Sequence, residues 1–223
     1  MKYLIKLLLI LLLTSTVLFA ESFKKPDYDN RLDKYPNTTE WYNHADTDSA
    51  SAYNIALTYD VNIKDNKLAE LWYKQALFLN HNNVNALFNL AVLYDKRKQY
   101  TEAIKYYQQA YKAKDLEAAY NLASLYADLK KYTDAEKWYK KAIERKSIDA
   151  IKNLGRLYHF KLKDDVKAAE YFIALIDNKY PKDKVLGYLK NNWKLSDETI
   201  KKGYEAQLTS KIIPEKLKYK GGI

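Results

Sequence analysis

Residues Leu122–Ala142, LASLYADLKKYTDAEKWYKKA, read as two short helices with one break between them. In the first part Leu122, Leu125 and Tyr126 fall at i, i+3 and i+4, one face of a 3.6-residue period. In the second part Ala135, Trp138, Tyr139, Ala142 and Ile143 repeat that spacing over two turns. The intervening ADLKKYTDAE breaks the pattern, and Thr133 with Glu136 predicts a capping box for the second helix. Alanines at 123, 135 and 142 allow two backbones to approach closely, while Trp138 and Tyr139 are large enough to fill the space beside them.

The same text recurs along the chain. YNIALTY at Tyr53–Tyr59, FNLAVLY at Phe88–Tyr94, YNLASLY at Tyr120–Tyr126 and KNLGRLY at Lys152–Tyr158 align on Asn54, Asn89, Asn121 and Asn153. A second motif follows each first one: AELWYKQA at 69–76, AIKYYQQA at 103–110, AEKWYKKA at 135–142 and AAEYFIAL at 168–175. Self-similarity at 32–35 residues is the mark of a helical-repeat array. A single helix pair cannot bury its apolar face, so neighbouring pairs must stack on it. There is no proline between Pro36 and Pro181, and Gly155 is the only glycine in that span, so the interior of the array is uninterrupted. Asp115 and Ser147 are expected to cap the first helices of repeats three and four.

This sets the expected fold: all-α, a right-handed superhelical solenoid of about four stacked antiparallel helix pairs, with C-terminal capping helices. The boundaries are a signal peptide over 1–20, a polar linker with a short helix near Thr38–His44 over 21–47, the solenoid over 48–180, capping helices over 181–213, and a loose tail over 214–223. The cap has a physical motive, because the last repeat would otherwise leave Tyr171, Phe172 and Leu175 in water. Within it Ser196 is set as an N-cap, and Leu195 with Ile200 as a hydrophobic staple.

The N-terminus MKYLIKLLLILLLTSTVLFAES has a basic start at Lys2 and Lys6, an apolar run over Leu7–Leu13, and a small residue, Ala20, before polar sequence. That is the order of a secretory signal peptide cleaved after Ala20, and it predicts a periplasmic or secreted protein with no stable membrane span after cleavage. Loss of Lys2 and Lys6 lowers the formal net charge from +10 to +8, so the exported chain suits acidic partners rather than nucleic acid. With no cysteine, thiol catalysis, a lipoprotein anchor and a disulfide framework are excluded.

Sites for chemistry are sparse. His44, His81 and His159 have no metal-ligand spacing to one another, so no metal is expected. No S-x-x-K, G-x-S-x-G, H-E-x-x-H or glycine-rich phosphate loop occurs, and nothing calls for a cofactor. Most of the 22 tyrosines stand at fixed repeat positions, such as Tyr59, Tyr94, Tyr107, Tyr126, Tyr139 and Tyr158, where core packing accounts for them. A non-enzymatic protein is expected.

The tandem pattern LAxLYxxxxxYxxAxxWYxxA resembles the tetratricopeptide and Sel1-like repeat superfamily, over about 60% of the chain. The nine-residue link from tyrosine to alanine in repeats two and three (Tyr94–Ala103, Tyr126–Ala135) resembles the tetratricopeptide class. The WYKKA-type helices look more like Sel1, whose glycine-rich link is absent. The resemblance implies that the first helix of each pair lines a peptide-binding groove, with the asparagine row Asn54, Asn89, Asn121 and Asn153 in contact with ligand backbone. Beside that row lie Tyr53, Phe88, Tyr120 and Lys152, then Leu57, Val92, Ser124 and Arg156. This face runs from apolar to basic, which suits a protein or peptide partner with apolar residues and an acidic end. A carboxamide both donates and accepts, so it can pair with any peptide group; it can equally bond neighbouring backbone and fix repeat stacking. Two alternatives to a binding scaffold are a structural self-assembling subunit and an envelope hydrolase like the β-lactam-associated Sel1 proteins, whose paired cysteines this sequence lacks.

Overall fold

The computed structural model describes residues 23–223; the signal-peptide reading over 1–20 lies outside them. The chain divides into two compact units, residues 1–114 and 115–223.

The first unit holds a short helix α1 (Thr38–His44) and two helix pairs, α2 (Ser49–Leu57) with α3 (Asn66–Leu79) and α4 (Val84–Lys96) with α5 (Tyr100–Lys112). The second holds α6 (Ala118–Asp128) with α7 (Tyr132–Glu144), α8 (Ile148–Leu157) with α9 (Asp165–Ile173), then α10 (Lys182–Gly187) and α11 (Asp197–Thr209). The small residues sit where the pairs close. Ala56, Ala69, Ala76, Ala91, Ala103 and Ala110 in the first unit have no solvent exposure, and neither do Ala123, Ala135, Ala142 and Ala168 in the second. At this depth a methyl group is all that fits between backbones, and the aromatic rings Trp72, Tyr73, Tyr107 and Tyr139 pack around the seam.

The turns explain the two link lengths. Where the alanine stands nine positions after the tyrosine, Gln99 N–H reaches Tyr94 O at 2.9 Å and Lys131 N–H reaches Tyr126 O at 2.8 Å. With ten, the extra residue is taken up as a π-helical turn at the end of the first helix, over Thr58–Ile63 and Tyr158–Leu162. The closing bonds then span one residue more, Asp65 N–H to Tyr59 O and Asp164 N–H to Tyr158 O. Each turn needs one left-handed residue, and lysine supplies it where a glycine is usual: Lys64, Lys98, Lys130 and Lys163 all have φ near +60°.

A second device ties successive pairs within each unit. Glu70 on α3 accepts from Tyr94 Oη on α4 at 2.7 Å and from Lys74 at 2.6 Å, and it also pairs with Arg97. Glu136 on α7 does the same for the second unit, accepting from Tyr158 Oη at 2.7 Å and Lys140 at 2.6 Å. Burial pushes both carboxyl groups up, but these donors together hold them below the ordinary glutamate value.

Four expectations are corrected. The capping box at Thr133 and Glu136 does not form: α7 begins at Tyr132, its N-cap Lys131 makes no side-chain bond, and Glu136 is committed to Lys140 and Tyr158 instead. Ser147 does cap α8, accepting from Ala150 N at 3.2 Å, whereas Asp115 stands two residues before Glu117, the N-cap of α6, and accepts from Glu117 N at 2.9 Å and Ala118 N at 2.7 Å. The segment read as a polar linker folds back onto the first repeat. Leu32 and Ala45 are wholly buried, Tyr59 Oη donates to Asp29 at 3.2 Å, Arg31 bridges Asp29 and Asp65, and Phe23 and Tyr42 stand edge-on to Trp72. An apolar tryptophan face at the first repeat has to be covered by something, and the preceding chain covers it. The tail read as loose is pinned as well. The fully buried Gln207 carboxamide donates to Tyr219 O at 2.6 Å and accepts from Tyr219 N at 3.1 Å, and Asn178 donates to Leu217 O at 2.9 Å.

The C-terminal helices behave as a further, shorter pair. Leu195 N–H closes on Leu189 O as Asp164 does on Tyr158, and Ser196 caps α11 through Thr199 N at 3.1 Å. Helix α11 lies directly on α9, because a Cβ at Gly203 would stand 2.9 Å from the Ala169 carbonyl carbon. Tyr171, Phe172 and Leu175 are covered, with Phe172 packed on Trp193 at 4.2 Å between ring centroids.

Candidate functional site

The first helix of every pair carries the row singled out in the sequence, and the repeat fixes its depth. In each motif the asparagine is followed by a wholly buried Ile55, Leu90, Leu122 or Leu154, so the asparagine itself sits half-buried at the edge of the apolar stripe. In the first three motifs the residue before it leans on the tyrosine that ends the aromatic pair of the following helix, Trp72-Tyr73, Tyr106-Tyr107 or Trp138-Tyr139. Tyr53 lies 6.0 Å from Tyr73, Phe88 6.0 Å from Tyr107, and Tyr120 6.2 Å from Tyr139, centroid to centroid.

The four asparagines are used differently. Asn89 donates to Tyr53 Oη at 3.1 Å, and Asn153 donates to Tyr120 Oη at 3.0 Å, each reaching back to the preceding pair of its own unit. These are stacking bonds between repeats. Burial raises the phenols of Tyr53 and of Tyr73 beside it, and in the second unit that of Tyr139, so these three hydroxyls stay neutral. Asn121 turns onto its own helix, donating to Glu117 O at 3.1 Å. Asn54 heads the row, and its carboxamide makes no hydrogen bond with any described residue.

In the first unit Asn54 and Leu57 border a cleft of about 280 Å³ whose far wall is the folded-back N-terminal segment, Tyr35, Pro36 and Trp41. Val61, on the π-helical turn at its rim, is 58% exposed. Val92 is half-buried on α4. In the second unit Ser124 shares a hydrogen bond with Tyr139 Oη at 3.2 Å, so it is partly committed to the scaffold. Lys152 lies 3.3 Å from Tyr180 Oη, and Arg156 is exposed. Both border a pocket that reaches to α10.

Sequence reasoning missed Tyr35, Pro36 and Trp41, which lie outside the repeat, and Tyr180, Lys184 and Tyr188 beyond its end. One signal was there for Lys184. It stands 31 residues after Asn153, close to the repeat interval, and so occupies the asparagine register of the terminal pair. The histidines play packing parts: His159 stacks on Trp193 at 4.3 Å with Nδ1 2.6 Å from Asp165, and His44 Nδ1 is bonded to Glu40 O. Among the described residues no group of three or more His, Cys, Asp or Glu side chains could hold a metal ion.

Helix pairs at this interval, closed on small residues and stacked through first-helix contacts, define a tetratricopeptide-type array. Residues 62–142 match the family described as anaphase-promoting complex, cyclosome, subunit 3. Among solved structures, the chain is similar to YrrB, a TPR protein with an unusual peptide-binding site, with a TM-score of 0.55 and 17% identity over 78% of this chain and 94% of that one. It is similar also to the MamA protein, with a TM-score of 0.54 and 21% identity over 77% of this chain and the whole of the other. No curated protein has a significantly similar sequence. The chain shares the tetratricopeptide-type helical-repeat fold with these structures.

Proposed function

We propose that this protein is a non-enzymatic scaffold of the bacterial periplasm that holds an extended segment of a protein partner against the first-helix faces of its repeats. The observation that carries the reading is the unequal use of the asparagine row. Asn89 and Asn153 are committed to repeat stacking, whereas the carboxamide of Asn54 has no hydrogen-bond partner among the described residues and borders an aromatic cleft. A half-buried carboxamide with unused donor and acceptor is matched by a peptide group, which offers one of each. Tyr35, Pro36 and Trp41 around it offer flat apolar surface for the side chains that flank that group. In the second unit the carbonyl oxygen of Asn121 accepts no hydrogen bond from any described residue, and it offers an acceptor to a peptide N–H there. The N-terminal signal sequence supports export.

The test begins with cross-linking in intact cells and mass spectrometry, which supplies a partner. Its affinity for the purified mature chain is then measured for Asn54→Ala and Trp41→Ala. Each is expected to weaken binding, the first by about 0.5–1.5 kcal/mol for one lost hydrogen bond, with no loss of stability. Unchanged affinity in both variants would sink the reading. Recovery of Met1 at the N-terminus of the exported protein would replace a soluble periplasmic scaffold with an anchored one.

A further inference from the structure

In the second unit, α8, the end of the α9 segment and α10 enclose a pocket of about 400 Å³. Its floor is apolar. Phe172 and Val185 are 6% and 3% exposed, and Tyr188 stacks on Phe172 at 5.7 Å with the rings nearly parallel. Gly155 makes this floor possible: a Cβ there would lie 2.6 Å from Phe172 Cδ2, so a glycine lets the ring slide under α8 at the level of Arg156. The rim is cationic. Lys152 stands over the Tyr180 ring at 5.8 Å, and Arg156 and Lys184 complete the edge. No carboxylate lines the pocket, and among the described residues neither Arg156 nor Lys184 forms an ion pair. Nearby acidic groups are used or turned aside: Asp149 pairs with Lys179, and Asp183 is exposed and does not line the pocket.

Three cations around an uncharged aromatic floor, with no internal counter-ion, are complementary to an anion joined to an apolar body. We infer that this pocket binds a short acidic segment of a polypeptide partner, in which one or two carboxylates directly neighbour a large apolar side chain. The apolar side chain lies on the floor formed by Phe172, Val185 and Tyr188, and the carboxylates meet Arg156, Lys184 and Lys152. The guanidinium can take a carboxylate in two parallel hydrogen bonds, and the lysines act as point charges that tolerate either position of a second one. This inference rests on the scaffold reading above and names the chemistry of one end of the partner. Its geometry is supplied by α10 and by Tyr180, outside the repeats.

The probe is a pair of capped tetrapeptides, acetyl-Phe-Glu-Glu-Leu-amide and its neutral Gln-Gln counterpart, titrated into the full mature chain and followed by amide chemical shifts. The acidic peptide is expected to bind, with shifts confined to α8, α10 and the Tyr180 turn. R156Q/K184Q should weaken it about tenfold, as expected for two partly exposed charge pairs. Raising ionic strength from about 0.05 M to about 0.5 M should do much the same. Binding of the two peptides with equal strength, shifts centred elsewhere, or no binding of the acidic one overturns the inference. So does a stronger response to phosphatidylglycerol vesicles or inorganic phosphate than to the acidic peptide. A partner whose affinity depends on Asn54 but ignores R156Q/K184Q overturns this inference and leaves the scaffold reading standing.

Discussion

Replacing the asparagines two at a time separates architecture from recognition, because the structure gives the two pairs opposite signs. Asn89→Ala removes the bond to Tyr53 Oη, and Asn153→Ala removes the bond to Tyr120 Oη. Each loss costs about 0.5–1.5 kcal/mol net, with any further penalty small because Tyr53 and Tyr120 are half-buried and water can reach the stranded hydroxyl. Alanine returns up to ~0.7 kcal/mol of helix propensity at each position. The bond loss wins by a modest margin, about 0.5 kcal/mol per site and up to ~1 kcal/mol. The two sites lie in different units and share no partner, so N89A/N153A should be destabilised by about 1–2 kcal/mol, the sum. Asn54→Ala and Asn121→Ala break no bond between helices, so N54A/N121A should be neutral or more stable by up to ~1 kcal/mol from propensity alone. Urea denaturation measures this difference, with the midpoint moving and the slope unchanged. Tyr53→Phe placed in the Asn89→Ala background should add little, since the pair it would break is already gone. Equal shifts in the two double variants, or an unmoved midpoint in N89A/N153A, would refute the assignment of Asn89 and Asn153 to the scaffold.

Four more outcomes follow from particular residues. Glu70 and Glu136 have native pKa values held below the ordinary 4.5, so their stabilisation is complete above that range and is lost as pH falls through the native values; acid melting should be less steep in E70Q/E136Q. Glu170 has the opposite sign, because burial raises its pKa and its ionisation disfavours the native state; Glu170→Gln should be more stable at neutral pH, and the gain should shrink as pH approaches 4.5. Lys98→Gly and Lys130→Gly, at φ of +60° and +59°, should each stabilise by about 0.5–1 kcal/mol in thermal melts, while Lys→Ala at either position should not. A chain ending at Lys182 loses the cover over Tyr171, Phe172 and Leu175 and is expected to aggregate or melt less cooperatively than the full chain; identical melting would refute a capping role for α10 and α11.

The helix pairs were legible in the sequence because their cause is local and repeated. An apolar stripe at 3.6-residue spacing, alanine where two backbones meet, and an aromatic at each gap recur often enough to exclude other folds, whereas the π-helical turns that take up the extra residue of the longer links appear only in the structure. The choice between the readings of the asparagine row was only partly legible. It depends on the hydroxyl one repeat earlier in the same unit, which Tyr53 offers to Asn89 and Tyr120 to Asn153. The sequence contains that fact, but the distance that gives it meaning arises only when helices stack.

Other features had no local signature at all. Residues 23–47 are polar enough to read as linker, yet Leu32, Ala45 and the rings of Phe23 and Tyr42 cover the first repeat, because Trp72 would otherwise lie open. The tail reads as loose from its lysines and glycines, and is held by a buried glutamine that bonds its backbone without regard to its side chains. The cationic pocket joins Lys152 and Arg156 to Lys184, about thirty residues further on, through a ring that fits only because residue 155 has no side chain. Periodicity determined which elements form and which face each buries; contacts between residues distant in sequence, whose energies depend on packed geometry rather than on pattern, decided which polar groups were left free to meet a partner.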